Sequence, residues 1–339
     1  MAISSVLGSS ALLPAGLGFR NVLINGDFKV WQRGTSTAFT ATASTSFLAD
    51  RWSGYRGVAG STQSRVSSGL TGFQYALRMQ RDSGNTSTSR IYIGQSLETS
   101  TIATFAGKRM ALSFYARAGS NFSATSSLFR VMVFSGTGTE CNVVHVTPTS
   151  ITTDLDTTFT LSTSWQLFTA YYNVPSGVTQ HGIQLDFTPV GTAGAADYVD
   201  ITGVQLEQNY QPTPFEQRPY GVELALCQRY YEDSITVVGQ AGSYAAGLGG
   251  NTYCSGVFFK TTKRIAPSST NGANDTPGNI RLWDNTGTAG RASLYRAGWA
   301  TTTTATIDWS GTWGFNLTTT GSITDAAMVA FRWAFSAEL

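Results

Sequence analysis

The sequence predicts an all-β protein: an N-terminal jelly-roll sandwich, a short linker helix and a smaller C-terminal β-domain. Three observations lead there. Apolar residues alternate with polar ones, or cluster, in runs of four to eight, the period-two signature of half-buried strands. The runs recur roughly every ten residues, punctuated by Gly, Ser, Thr and Asn, with no helix-length periodic segment between them. Only 12% of residues are charged, about half of the roughly 25% usual in soluble domains, so hydroxyl and amide side chains must supply the polar surface. That composition suits short strands and tight turns.

Residues 1–20 read as a docking arm, too short to bury a core and ordered only against a larger assembly. The mildly apolar stretch from Met1 to Leu17 has no basic flank and is broken by Pro14, so neither a signal peptide nor a membrane span is expected. Residues 21–207 carry the sandwich strands, among them 111–116, 128–134, 165–172 and 182–187. In the last, Ile183, Leu185 and Phe187 share one face, and Gln184 and Asp186 take the other. Residues 208–231 form a connector and helix: Pro212, Pro214 and Pro219 fix an extended segment that cannot join a ladder, and Val222, Ala225, Leu226 and Tyr230 fall on one face of the helix that follows. Residues 232–339 return to strands and turns, with a turn signal at Asp284-Asn285-Thr286-Gly287. No internal repeat is visible, which argues against a β-helix.

A net charge of +2 without a basic block gives no footprint for nucleic acid, and Lys108-Arg109 and Lys263-Arg264 read as solvated strand ends. Cys141, Cys227 and Cys254, with only His145 and His181 beside them, lack zinc-site spacing and read as small buried hydrophobes of a protein made in a reducing cytoplasm.

The run Asn21-Val22-Leu23-Ile24-Asn25-Gly26-Asp27-Phe28-Lys29-Val30-Trp31-Gln32-Arg33-Gly34 is followed by Ala49-Asp50-Arg51-Trp52. Further on stand Val204-Gln205-Leu206-Glu207, then Pro212-Thr213-Pro214-Phe215-Glu216-Gln217-Arg218, then Leu224-Ala225-Leu226-Cys227-Gln228-Arg229-Tyr230-Tyr231. In this order the motifs resemble a family of bacteriophage tail-fibre and other virion surface proteins, and the terminal Ala337-Glu338-Leu339 resembles many fibre ends. The resemblance implies a carbohydrate-binding-module-like jelly roll and a homotrimeric appendage on the particle exterior. Its arm would meet tail, baseplate or capsid proteins, and its surface a host glycan. A glycan-specific receptor-binding protein and a decoration protein without a receptor role are the alternatives.

Taken by themselves, Trp31 and Trp52 sit among apolar neighbours and fill a core. Arg33 and Arg51 are placed to meet Asp27 and Asp50, and Arg218 and Arg229 to meet Glu216 or Glu232. The carboxylate pairs Asp154/Asp156, Asp197/Asp200 and Glu232/Asp233 read as turn or rim residues, and no hydrolase, phosphate-binding or dinucleotide motif appears, so no enzyme is expected. The resemblance points to a calcium site at Asn25, Asp27 and Asp200, but Lys29 stands where an acid is usual, so neither metal nor cofactor is expected. Trp283, Asn285, Tyr295, Trp299, Trp309 and Trp313 are dense in the C-terminal region. Core or inter-subunit packing and a glycan surface are both open for them.

Overall fold

In a computed structural model of the chain, the described residues are 19–40, 44–56, 60–145, 149–234, 243–248, 251–271, 279–283, 289, 291–296, 299–320 and 327–338. The arm, up to residue 18, lies outside them, as does the turn at 284–287. The chain divides into two compact units, one ending at Arg218 and the other running from Pro219 to Glu338.

The first unit is the jelly-roll sandwich. Its strands are β1 (Ser36–Phe39), β2 (Ser44–Phe47), β3 (Ser53–Arg56), β4 (Ser61–Ser67), β5 (Tyr75–Arg81), β6 (Ile91–Leu97), β7 (Arg109–Ala118), β8 (Leu128–Thr137), β9 (Thr149–Thr160), β10 (Gln166–Asn173), β11 (Gln180–Phe187) and β12 (Tyr198–Glu207). One sheet runs β1-β4-β5-β12-β7-β10 and the other β2-β3-β6-β11-β8-β9, with every neighbour antiparallel. The chain changes sheet repeatedly between hairpins, so sequence neighbours often lie in opposite layers.

Alternation fixes what fills the middle. Leu77, Met79, Leu112, Phe114, Val199 and Ile201 of the first sheet meet Ile93, Phe129, Val131, Ile183, Leu185 and Phe187 of the second in one apolar cluster. Trp31 and Trp52 join it, as their neighbours predict. The opposite face of β11 differs from the simple pattern: Gln184 and Asp186 do face away from the core, yet both are buried.

The second unit opens with a helix, Tyr220–Gln228. Its buried residues are Glu223, Cys227 and Gln228 rather than the Val222 and Ala225 of the apolar stripe, and Val222 is exposed. Polar groups that find partners inside outweigh one valine here. The strands that follow are β13 (Tyr231–Asp233), β14 (Ser243–Leu248), β15 (Asn251–Phe258), β16 (Ser268–Asn271), β17 (Asn279–Trp283), β18 (Arg291–Arg296), β19 (Trp299–Gly311), β20 (Gly314–Thr320), β21 (Ala327–Ala330) and β22 (Arg332–Ser336). Strands β14-β15-β20-β19-β18-β21 close a barrel, and β13-β22-β17-β16 form a small sheet. Ile280, Leu282, Ile307, Phe315, Leu317, Trp333 and Phe335 make the core.

Lys263 and Arg264 correct the sequence reading. Lys263 is buried, pairs with buried Glu232 at 2.6 Å and donates to the Gln228 carbonyl, while Arg264 donates to the carbonyls of Ala337 and Glu338 at 2.7 and 2.8 Å. A lysine can be buried when carboxylate and carbonyl replace its water, although burial still lowers its pKa.

Candidate functional site

The motif residues converge in space, and what they build is scaffold. The Asn21 side chain accepts from the Leu206 amide at 3.0 Å and donates to the Val204 carbonyl at 3.0 Å, tying the opening segment to β12. Glu216 of the connector accepts from the amides of Arg20 and Asn21 at 2.9 and 3.1 Å, and its own amide donates to Gln205 at 2.8 Å. Arg218 reaches in to the carbonyls of Leu23 and Asn21 and pairs with Glu216 at 3.3 Å. Asn25, at φ 58°, donates to the carbonyls of Val30 and Asp50 at 2.9 and 3.0 Å, and its own carbonyl accepts the Trp52 indole at 3.0 Å. Gly26 is required beside it, because a Cβ there would stand 2.0 Å from the Val204 oxygen. The result is a latch that closes the sandwich. Asp50 takes Gln32 at 2.5 Å and Arg33 at 3.8 Å, and Arg51 donates to the Ser96 carbonyl at 2.7 Å.

The oxygens named for calcium are committed elsewhere. Asn25 serves the latch, Asp27 pairs with Lys29 at 2.7 Å, and Asp200 is held by Arg78 and Arg117. Among the described residues, no group of three or more His, Cys, Asp or Glu is placed to hold a metal.

Of the carboxylates read as turn or rim residues, Asp156 does lie at the surface, whereas Asp154, Asp197, Asp200 and Glu232 turn inward. Asp197 and Asp200 are both buried, the first against Arg81 at 2.9 Å and the second against Arg78 at 2.7 Å. Glu232 turns inward to Lys263, while Asp233 accepts the Tyr231 hydroxyl at 2.9 Å. A bulge opposite Val133 and Phe134 makes Asp154 an extra residue in β9, swinging it inward to Ser135 while Asp156 stays outside on Arg130. Ser135 also contacts His181 Nδ1 at 2.9 Å, and the Tyr172 hydroxyl meets His181 Nε2 at 2.8 Å, so this relay links the two sheets. Burial pushes the His181 pKa down to about 4 and raises that of Asp154. The serine bridges histidine and aspartate, and all four side chains are sealed from solvent, so the cluster wires the core and offers no nucleophile.

The outer face of the second sheet is different. Tyr55 and Tyr92 are cross-strand partners on β3 and β6, with rings 4.9 Å apart and 27° from parallel. The His145 ring stacks on Tyr92 at 5.4 Å, its Nδ1 3.2 Å from the Tyr92 hydroxyl and its Nε2 buried without a hydrogen-bond partner. Residues 141–145 lie across the sheet because Gly94 and Gly182 leave room: a Cβ at Gly94 would meet Val144 at 2.6 Å, and one at Gly182 would meet Val143 at 2.5 Å. Asn142 fixes the crossing through Ser96 at 3.0 Å and Ser53 at 3.3 Å.

Beside the stacked rings, Asp186 stands directly across from both Tyr92 and Arg130, accepts from Gln184 at 2.8 Å and lies 3.9 Å from Arg90. Arg130 grips Asp156 through two bonds of 2.7 and 2.5 Å. Burial raises the Tyr92 pKa to about 12 and that of Asp186 above the usual carboxylate value, and lowers that of His145 to about 4. Tyr92, Gln184 and Asp186 are buried, Tyr55 and His145 are half-buried, and the Arg130–Asp156 pair reaches solvent. A sugar contact uses aromatic surface beside polar groups, and Tyr55, His145, Arg130 and Asp156 are the groups of this kind that the face leaves within reach. The sequence did carry a signal for this face, since Tyr92 and Gly94 alternate with the core-facing Ile91 and Ile93.

The tryptophans proposed from sequence are spread through the second unit. Trp283 ends β17, half-buried, with the Arg281 guanidinium 4.9 Å from its ring. Tyr295 and Trp299 sit at the β18–β19 connection, where Tyr295 pairs with Ala300 and Arg296 with Trp299. Trp309, ten residues along β19 from Trp299, pairs with Asn316. The side chains of Tyr295, Trp299 and Trp309, and all of Asn285, lie outside the described residues. Trp313, in the β19–β20 turn, is 51% exposed and stacks at 5.6 Å on Phe258, which is 70% exposed.

No protein-family model matches the chain, and no curated protein does. Among solved structures, a carbohydrate-binding module (CBM4) is similar at 17% identity over 55% of this chain and 98% of that one, with a TM-score of 0.31. A xylan-binding domain (CBM 22) is similar at 15% identity over 54% and 99%, with a TM-score of 0.31. The enzymatically active domain of tailspike protein 4 of bacteriophage CBA120 is similar at 11% identity, TM-score 0.33; the match takes in 56% of this chain but only 21% of the tailspike.

Proposed function

We propose that the chain is a non-catalytic structural subunit of a bacteriophage particle, a tail-fibre-like or surface appendage that contacts a host glycan. The glycan reading is carried by one observation: the half-buried Tyr55 and His145 rings and the solvent-reaching Arg130–Asp156 pair share the outer face of the second sheet, backed by buried Tyr92, Gln184 and Asp186. The virion reading rests on the motif resemblance, and the latch gives those motifs a reason to occur together. A homotrimer docked through residues 1–20 is the assembly that the resemblance implies.

A second reading, a receptor surface on the C-terminal unit, is favoured by the exposed Phe258–Trp313 stack. A glycan array probed with the full chain, with Tyr55→Ala and Trp313→Ala variants in parallel, separates the two. The proposal expects the Tyr55 variant to lose signal and the Trp313 variant to keep it; the reverse moves the contact to the C-terminal unit, and no glycan signal from the parent chain removes it. Peptides of this chain in purified particles are expected, and their absence there would end the virion reading.

A further inference from the structure

The outer face of the first sheet carries a separate chemistry. On β7 the residues that alternate with the core-facing Met110, Leu112, Phe114 and Ala116 run from Arg109 to Arg117, and β10 lays Leu167 beside Tyr115 and Tyr171 beside Ala111. Each outward arginine is stacked on an aromatic ring. Arg117 lies 4.8 Å from the Trp165 ring, Arg109 5.5 Å from Tyr171 and 5.7 Å from Tyr210, and Arg78 on β5 3.5 Å from Tyr198. Arg78 and Arg117 meet at Asp200, which accepts from Arg78 at 2.7 and 3.0 Å and from Arg117 at 3.0 Å.

Asp200 is fully buried, whereas the side chains of Arg78 and Arg117 remain 22% and 27% exposed and Leu167 and Tyr210 are open to solvent. Arg78 and Arg117 against the one sealed carboxylate of Asp200 leave that end of the face positive, while at the other end exposed Arg109 lies near β12, where buried Glu207 pairs with Ala111. The stacking also holds the guanidinium planes in place, so little side-chain freedom is lost when an anion arrives.

We propose that this face binds an acidic polysaccharide, with carboxylates at the Arg78–Arg117 pair and at Arg109 and with sugar rings over Trp165, Leu167 and Tyr171 between them. Arg109 and Arg117 are eight residues apart on one strand, about 27 Å at ~3.4 Å per residue. On β7 and β10 only uncharged side chains and rings stand between them, so the face suits a polymer that offers sugar faces as well as carboxylates. Duplex nucleic acid presents a charge about every 1.7 Å, and its binders neutralise many. The face is distinct from the second-sheet site, and either can fail without the other.

Affinity electrophoresis of the full chain tests it, with polygalacturonate, neutral dextran or single-stranded DNA in the gel. Polygalacturonate alone is expected to retard the protein, with the effect fading as salt rises. Arg109→Gln, at an exposed position, is expected to weaken it about tenfold, the worth of one charge-assisted contact. Trp165→Ala is expected to weaken it while leaving the Asp200 cluster in place, and Tyr55→Ala to leave it unchanged. No retardation by polygalacturonate, undiminished retardation of both the Arg109 and Trp165 variants, or stronger retention by DNA overturns the proposal.

Discussion

The latch and the outer face of the second sheet each gather side chains with polar atoms and spend them differently. In the latch, Asn21, Asn25, Glu216 and Arg218 direct their polar atoms at backbone groups of their own unit. On the outer face, Tyr55, Tyr92 and His145 stack on one another, and Arg130 and Asp156 hold each other at the surface. The first region is a recognisable run of motifs because backbone geometry allows few substitutes. The second has no motif, because its rings come from three separate elements that only the fold brings together.

The contrast can be broken by substitution, and the largest effect is expected in the latch. Arg218→Ala leaves Glu216 with only Arg20, 3.8 Å away, and strips two buried carbonyls of the guanidinium, and should destabilise the sandwich by about 3–5 kcal/mol in denaturant unfolding. A change under 1 kcal/mol would mean that the latch is ornamental.

The relay between the sheets gives the next effect through pH. An unfolded His181 takes a proton near 6.5, whereas the folded one resists until about 4, so the unfolded state binds more protons in that window and stability falls as pH drops through it. The full difference is about 3 kcal/mol. Asp154 opposes it, because its raised pKa lets the folded state gain a proton first. A His181→Gln variant should lessen the pH dependence of the melting temperature between pH 7 and 4, with His145, also lowered to about 4, keeping the remainder; an unchanged profile would mean that the His181 ring does not titrate.

Gly94→Ala sharpens the comparison at the outer face itself. The added methyl meets the Ile183 carbonyl and Val144, each at 2.6 Å, and overpacking should cost about 1–3 kcal/mol while lifting residues 141–145 off the sheet. Glycan contact should weaken with it. The smallest effect is expected for Arg130→Gln, which breaks a surface ion pair worth under about 1 kcal/mol and should leave the melting temperature nearly unchanged.

Much of the fold was legible because alternation reports which face is buried: Ile183, Leu185 and Phe187 enter the core as a set, and Trp31 and Trp52 join it. What escaped the sequence depends on distant partners. Lys263 is buried because Glu232, 31 residues away, lies beside it. Asp154 and Asp156 part because a bulge intervenes, and a bulge is fixed by pairing with β8 rather than by the local residues. Tyr92 was visible as an outward residue, but the aromatic stack needed Tyr55 and His145 to be brought to it from other elements.

Isothermal titration of the full chain with a glycan that it captures, repeated with Tyr55→Ala and with Arg130→Gln, tests the central claim most directly. Loss of the Tyr55 ring should weaken binding about tenfold or more, with only a modest fall in melting temperature from its lost stacking on Tyr92, because the ring supplies the contact surface. Parent-like affinity in both variants would contradict the account and place the contact elsewhere.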